Sequence, residues 1–151
     1  MRIILVHPEI PQNTGNIART CAATRCKLIL VTPLGFSLSD RYMKRAGLDY
    51  WDRVDLEIID DLDSYLSTCT QFFFFSSKAS QYYTDVKYDS DAALIFGSET
   101  SGLPDTYWTK YREQFVTIPM VPEQRCINLA TSAAVGLYEA LRQHQYNQLA
   151  L

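Results

Sequence analysis

The chain has 151 residues, enough to bury a core, and no compositional break divides it. Its formal net charge of −3 argues against a strong non-specific nucleic-acid binder, whose affinity would come from phosphate neutralisation. No apolar run approaches the roughly 20 residues that span a bilayer, no targeting segment is evident, and four cysteines without a CxxC pair do not make a zinc site. We therefore expect one cytoplasmic domain over residues 1–151, with no membrane contact and no metal. Nucleic-acid contact would have to come from local patches, such as Arg41, Lys44, Arg45 and Arg53, or Arg19, Arg25 and Lys27. A solvated charged face is the alternative reading of both clusters.

A buried strand is expected from Ile3 to Val6, closed by His7 and Pro8. Asn13 or Thr14 can cap a helix that carries Ile17, Ala18, Cys21 and Ala22 on one stripe. Lys27 to Val31 reads as a second strand, and Asp40 to Ala46 as a short basic helix stopped by Gly47. Leu56 to Ile59 gives another strand, after which Asp60 or Asp61 starts a helix. The run Phe72 to Phe75 suits a central parallel strand covered on both faces. Ala92 to Phe96 follows as a strand that breaks at Gly97. A short helix after Pro104 and a strand from Phe115 to Ile118 lead to the last helix, about Asn128 to His144. Strands alternating with helices imply an α/β fold, with a mostly parallel sheet and helices on both faces.

Three segments carry the chemistry: NTGNIAR (13–19), LIFGSETSGLP (94–104) and IPMVPEQRCINLATSAAVGLYEALRQ (118–143). Gly97 and Gly102 bracket a loop after a central strand, the usual ligand side of an open α/β sheet. The loop is neither a phosphate-binding P-loop nor a GxGxxG dinucleotide turn, which argues against a nicotinamide or flavin oxidoreductase. Pro119 and Pro122 stiffen the approach to the last helix, which Asn128 can cap. His7, near the first segment, is of a residue type that can serve as a base but reads more simply as a strand-end residue.

In order and spacing these segments resemble the three signature blocks of the SpoU–TrmD (SPOUT) RNA methyltransferases. Within that superfamily they are most similar to the single-domain tRNA wobble-nucleotide 2'-O-methyltransferases. The resemblance runs from PEIPQNTGNIAR through RAGLDYWD to the last helix. It implies a C-terminal deep trefoil knot, which base rates alone would argue against. It also implies S-adenosylmethionine as methyl donor, the anticodon stem-loop of tRNA as substrate, and a homodimer formed by the first and last helices.

By resemblance Phe75, Gly97, Ile118 and Cys126 fall at methyl-donor contact positions, with Glu99, Gly102, Leu103, Met120 and Leu129 beside them. Arg19 is the catalytic candidate. Asn13, Lys44, Arg45 and Asn128 are candidate substrate contacts, and Tyr138 belongs to the dimer interface. The expected reaction is methyl transfer to the 2'-oxygen of the wobble cytidine or uridine. Three departures bear on it: close relatives carry Ser where this chain has Cys126 and Ala130, and Arg where it has Ser101. The competing readings are methylation of another RNA, such as ribosomal RNA, and a knotted RNA-binding module without catalysis.

Overall fold

The computed structural model describes residues 1–38 and 53–149. The expected basic helix over 40–46, with Arg41, Lys44 and Arg45, lies outside the described residues. Six strands form one sheet: β1 (Arg2–Val6), β2 (Lys27–Val31), β3 (Leu56–Ile59), β4 (Phe72–Phe75), β5 (Ala93–Phe96) and β6 (Phe115–Val116). Their order is β3-β2-β1-β5-β4-β6 and every pairing is parallel. Among the described residues four α-helices accompany them: α1 (Pro11–Thr24), α2 (Leu62–Leu66), α3 (Asp105–Lys110) and α4 (Leu129–Gln143).

Alternation along the apolar strands sorts side chains onto two cores, as the period of two requires. Ile3, Leu5, Leu28, Leu30, Phe73, Phe75, Leu94 and Phe96 pack with Ile17 and Cys21 of α1 and with Ala133, Leu137 and Leu141 of α4. Ile4, Val6, Ile29, Val31, Phe74 and Ile95 pack on the other face with Leu62 and Leu66 of α2, and Tyr107 and Trp108 of α3 lie against them. The phenylalanine run is thus core on both sides. Phe74 stacks on Phe115 at 4.9 Å between ring centroids, and Phe75 on Phe96 at 4.6 Å. Gly136 of α4 makes room for the second pair, since a Cβ there would lie 2.8 Å from the Phe75 ring.

Several boundaries differ from expectation, beginning with β1, which starts one residue early, at Arg2. Asn13 and Thr14 are not caps. Helix α1 begins at Pro11, whose fixed φ and missing N–H suit the first helical position, and Ile10 is the N-cap. Strand β5 starts at Ala93, one residue late. Strand β6 stops at Val116 because Thr117 turns to an isolated bridge with Tyr82, donating its N–H to the Gln81 carbonyl at 2.8 Å. Elsewhere the capping logic holds. Asp61 accepts from the Ser64 N–H at 3.1 Å, and Asn128 Oδ1 accepts from the N–H groups of Ala130 (2.9 Å) and Thr131 (3.3 Å).

Candidate functional site

Strand order reverses between β1 and β5: the chain runs outward from β1 through β2 to β3 on one side, and β4, β5 and β6 fill the other. Such a switch point, at the carboxyl ends of the strands, is where open α/β sheets bind ligands. A cavity of about 460 Å³ opens there, lined by the segments that follow β4, β5 and β6 and by the approach to α4. All nine residues expected to meet the methyl donor line it: Phe75, Gly97, Glu99, Gly102, Leu103, Ile118, Met120, Cys126 and Leu129. Asn13 and Asn128 line it as well.

The loop after β5 folds back on itself. Ser98 and Gly102 exchange backbone hydrogen bonds at 3.1 and 3.0 Å, and the Ser101 N–H reaches Ser98 Oγ at 3.2 Å. Gly102 has φ +68°, a left-handed conformation that costs an L-residue about 1–2 kcal/mol, and the space at its missing Cβ is open. Gly97 serves a different purpose from the one its position suggests. A Cβ on Gly97 would meet the backbone of Gly102 and Leu103 at 2.2–2.5 Å, so that space belongs to the loop itself and not to a ligand.

A chain of side-chain hydrogen bonds then ties the three sequence segments together. Glu99 accepts from the backbone N–H groups of Glu9 (2.8 Å) and Ile10 (3.2 Å) and from Asn13 Nδ2 (3.0 Å). Asn13 Oδ1 accepts from Asn128 Nδ2 at 2.9 Å, and Asn128 caps α4. Asn13 is 6% exposed, so this amide is enclosed by protein. The Glu99 carboxylate, although it lines the cavity, is engaged with the start of α1.

Arg19 is not part of the cavity lining. It is an exposed residue six positions after Asn13, about 9 Å further along α1 at the helical rise per residue. Lys27 begins β2, at the end of the sheet away from the cavity, and pairs with Glu57 at 2.9 Å. Tyr138 is 45% exposed on α4 beside buried Leu137. His7 ends β1 with φ 51° and does not line the cavity. Lys44 and Arg45 lie outside the described residues. Among those described, no three His, Cys, Asp or Glu side chains form a metal-binding group. No helix among them is long and apolar enough to cross a membrane.

The model of the SpoU rRNA methylase family matches residues 1–138. The chain belongs to the SpoU rRNA methylase family. It is 42% identical over 151 residues to the tRNA (cytidine(34)-2'-O)-methyltransferase of Methylovorus glucosotrophus (strain SIP3-4), covering 95% of this chain and 96% of that one. A solved structure concerned with the 2-OH methylation of C/U34 on tRNA matches with a TM-score of 0.90 at 39% identity, covering 97% of both chains. The AdoMet-bound rRNA methyltransferase from Sinorhizobium meliloti matches with a TM-score of 0.83 at 23% identity, over 93% of this chain and 55% of that one. At that identity the likeness shows the fold alone.

Seen as a SpoU family member, the chain shows where its departures fall. The Cys126 side chain is exposed and lines the cavity, Ala130 is half-buried in the first turn of α4, and Ser101 is exposed at the loop tip. Several lining residues carried no signal in the sequence: Ile10, Lys78, Trp108 and Arg125. Arg125 sits inside the third segment and could have been noticed there. Lys78, which pairs with Asp105 at 3.3 Å, and Trp108 reach the cavity only through the packing of α3 against β4 and β6.

Proposed function

We propose that the chain is an S-adenosylmethionine-dependent tRNA methyltransferase acting on the 2'-oxygen of the wobble nucleotide, cytidine or uridine. The observation that carries this reading is near full-length identity of 42% to a tRNA (cytidine(34)-2'-O)-methyltransferase. The cavity supports it: its volume lies within the range of about 300–1,000 Å³ typical of small-molecule sites, and its walls combine apolar side chains with loop backbone and polar groups such as Lys78, Glu99 and Arg125.

Phe75, Leu103, Ile118, Met120 and Leu129 would hold the donor by packing, and the open space at Gly102 admits close backbone approach. When bound, S-adenosylmethionine supplies a methyl group on a positively charged sulfur, open to in-line attack without a metal. Arginine is a poor base because its delocalised guanidinium does not give up its proton in proteins. We assign Arg19 to orienting a phosphate beside the target ribose and stabilising alkoxide charge as it develops. Its distance from the cavity of its own chain fits a homodimer through α1 and α4, with Tyr138 at the boundary and RNA held by both subunits. Lys44 and Arg45 would add phosphate contacts. The amides of Asn13 and Asn128 are occupied within the protein, so we assign them to holding the site together. The deep trefoil knot belongs to the same reading.

The test is transfer of labelled methyl from S-adenosylmethionine to total tRNA lacking wobble methylation, with a chelator present. Labelled tRNA is the expected result. Donor binding without tRNA labelling would move the substrate to another RNA, and absence of donor binding would favour the non-catalytic module.

A further inference from the structure

The loops after β1 and β5 are joined by a reciprocal pair of contacts. Glu99 reaches from the β5 loop to the backbone N–H groups of Glu9 and Ile10, at 2.8 and 3.2 Å. Glu9 in turn accepts from the hydroxyl of Thr100, which lies 2.7 and 2.8 Å from its two carboxylate oxygens. The two carboxylates are therefore held by N–H and O–H donors, Glu99 by N–H groups and Glu9 by a hydroxyl. Among the described residues neither makes an ion pair. The positive end of the α1 dipole favours this anionic surrounding. The backbone of Glu9 is itself fixed from behind: Gly35 donates its N–H to the Pro8 carbonyl at 2.9 Å, and a Cβ on Gly35 would lie 2.7 Å from Glu9 Cα.

One side of this clasp is the loop that lines the cavity. The other is the first turn of α1, the helix that carries Arg19. Apolar packing alone lets neighbouring elements slide by fractions of an ångström, whereas charge-assisted hydrogen bonds fix direction as well as distance. We propose that Thr100, Glu99 and Glu9 are positioning residues that set α1, and with it the subunit boundary at which Arg19 acts, in register with the donor loop. The inference rests on the methyltransferase reading above. It assigns a role in rate to Thr100, which lines the cavity while its hydroxyl is engaged with Glu9, and it moves Glu99 from donor contact to alignment.

The variants are Thr100→Val, which removes the hydroxyl at nearly constant volume, Thr100→Ser, which restores it, and Glu99→Gln. The last would set an amide donor against the Glu9 N–H. We expect Thr100→Val to lower kcat about fivefold, and Glu99→Gln at least about tenfold, as befits loss of bonds to ionised groups. The KM for S-adenosylmethionine and the Kd for S-adenosylhomocysteine should stay within about twofold, and Thr100→Ser should recover most of the rate. Unchanged kcat in Thr100→Val would overturn the proposal, as would donor affinity falling in step with rate. Amide hydrogen exchange gives a readout independent of turnover. Exchange at Glu9 and Ile10 should be slow in the wild type, slower with S-adenosylhomocysteine, and faster in both Thr100→Val and Glu99→Gln. If the wild type labels no tRNA, the methyltransferase reading fails on its own, while exchange still decides whether the clasp joins the two loops.

Discussion

Replacing Gly97 by alanine adds one methyl group where there is no room for it. The added Cβ would stand 2.2 Å from the Gly102 carbonyl carbon and 2.3 Å from the Leu103 nitrogen, both backbone atoms that no rotamer change can move. Ordinary contact begins at 3.4 Å, so the loop must retreat by about 1 Å. It is pinned by the paired Ser98 and Gly102 hydrogen bonds at 3.1 and 3.0 Å, and a shift of that size breaks or bends both. At about 0.5–1.5 kcal/mol for each bond, the variant should lose about 1–3 kcal/mol of local stability. The same shift displaces a wall of the cavity, and S-adenosylhomocysteine affinity should fall at least about tenfold, corresponding to about 1.4 kcal/mol. Gly102→Ala is the internal control: it meets no atom within 4 Å and suffers only from φ +68°. Calorimetric titration with thermal melting of both variants is the assay. Donor affinity within twofold of wild type in Gly97→Ala, with an unchanged melting temperature, would refute the account of this loop.

Arg19→Ala should lower methyl transfer by about 100-fold or more while donor affinity changes less than about twofold, which single-turnover kinetics with calorimetry would check. Equal losses in both would contradict the assigned role. Cys126 is exposed on the cavity wall, so an alkylating reagent should modify it readily, and S-adenosylhomocysteine should slow that modification. Cys21 should stay unmodified in the folded protein, because burial, with Cys26 beside it, pushes its thiol well above the ordinary range. Mass spectrometry of the alkylated peptides reads both outcomes. The Glu139 carboxylate is gripped by Arg142 through two bonds, at 2.8 and 2.9 Å, and by Gln143 Nε2 at 2.9 Å, which hold it below its ordinary value. A lowered folded pKa stabilises above the ordinary value of 4.5, and that contribution is lost as pH falls through the folded value. Glu139→Gln should therefore cost about 1 kcal/mol at pH 7, discounted because Arg142 is largely solvated, and less at pH 4. Urea denaturation at the two pH values measures it.

The strands were legible because each is a short, mostly apolar run, most of them ended within two residues by Gly, Pro or Asp. Burial on both faces of a parallel sheet demands that pattern, and β2, β3 and β4 match their expected bounds residue for residue. The Asn128 cap was legible because capping is local chemistry, read from a polar residue standing before an apolar helix. The start of α1 was misread for the converse reason. Asn13 resembles a cap, but its amide is claimed by Glu99, 86 positions away, and by Asn128, 115 positions away. No local pattern encodes such pairings. The cavity walls were accessible only through the three segments and their resemblance to a family, which named nine lining residues but gave Gly97 and Glu99 different duties from those the geometry assigns. Trp108 and Lys78 enter through the packing of separate elements, which periodicity does not reach.

The central claim is the position of the transferred methyl group. The direct measurement is nuclease digestion and mass-spectrometric mapping of tRNA labelled from S-adenosylmethionine by the purified protein. The account predicts 2'-O-methylcytidine or 2'-O-methyluridine at the wobble position, with no label on any base. Label on a base, or on riboses outside the anticodon loop, would contradict it.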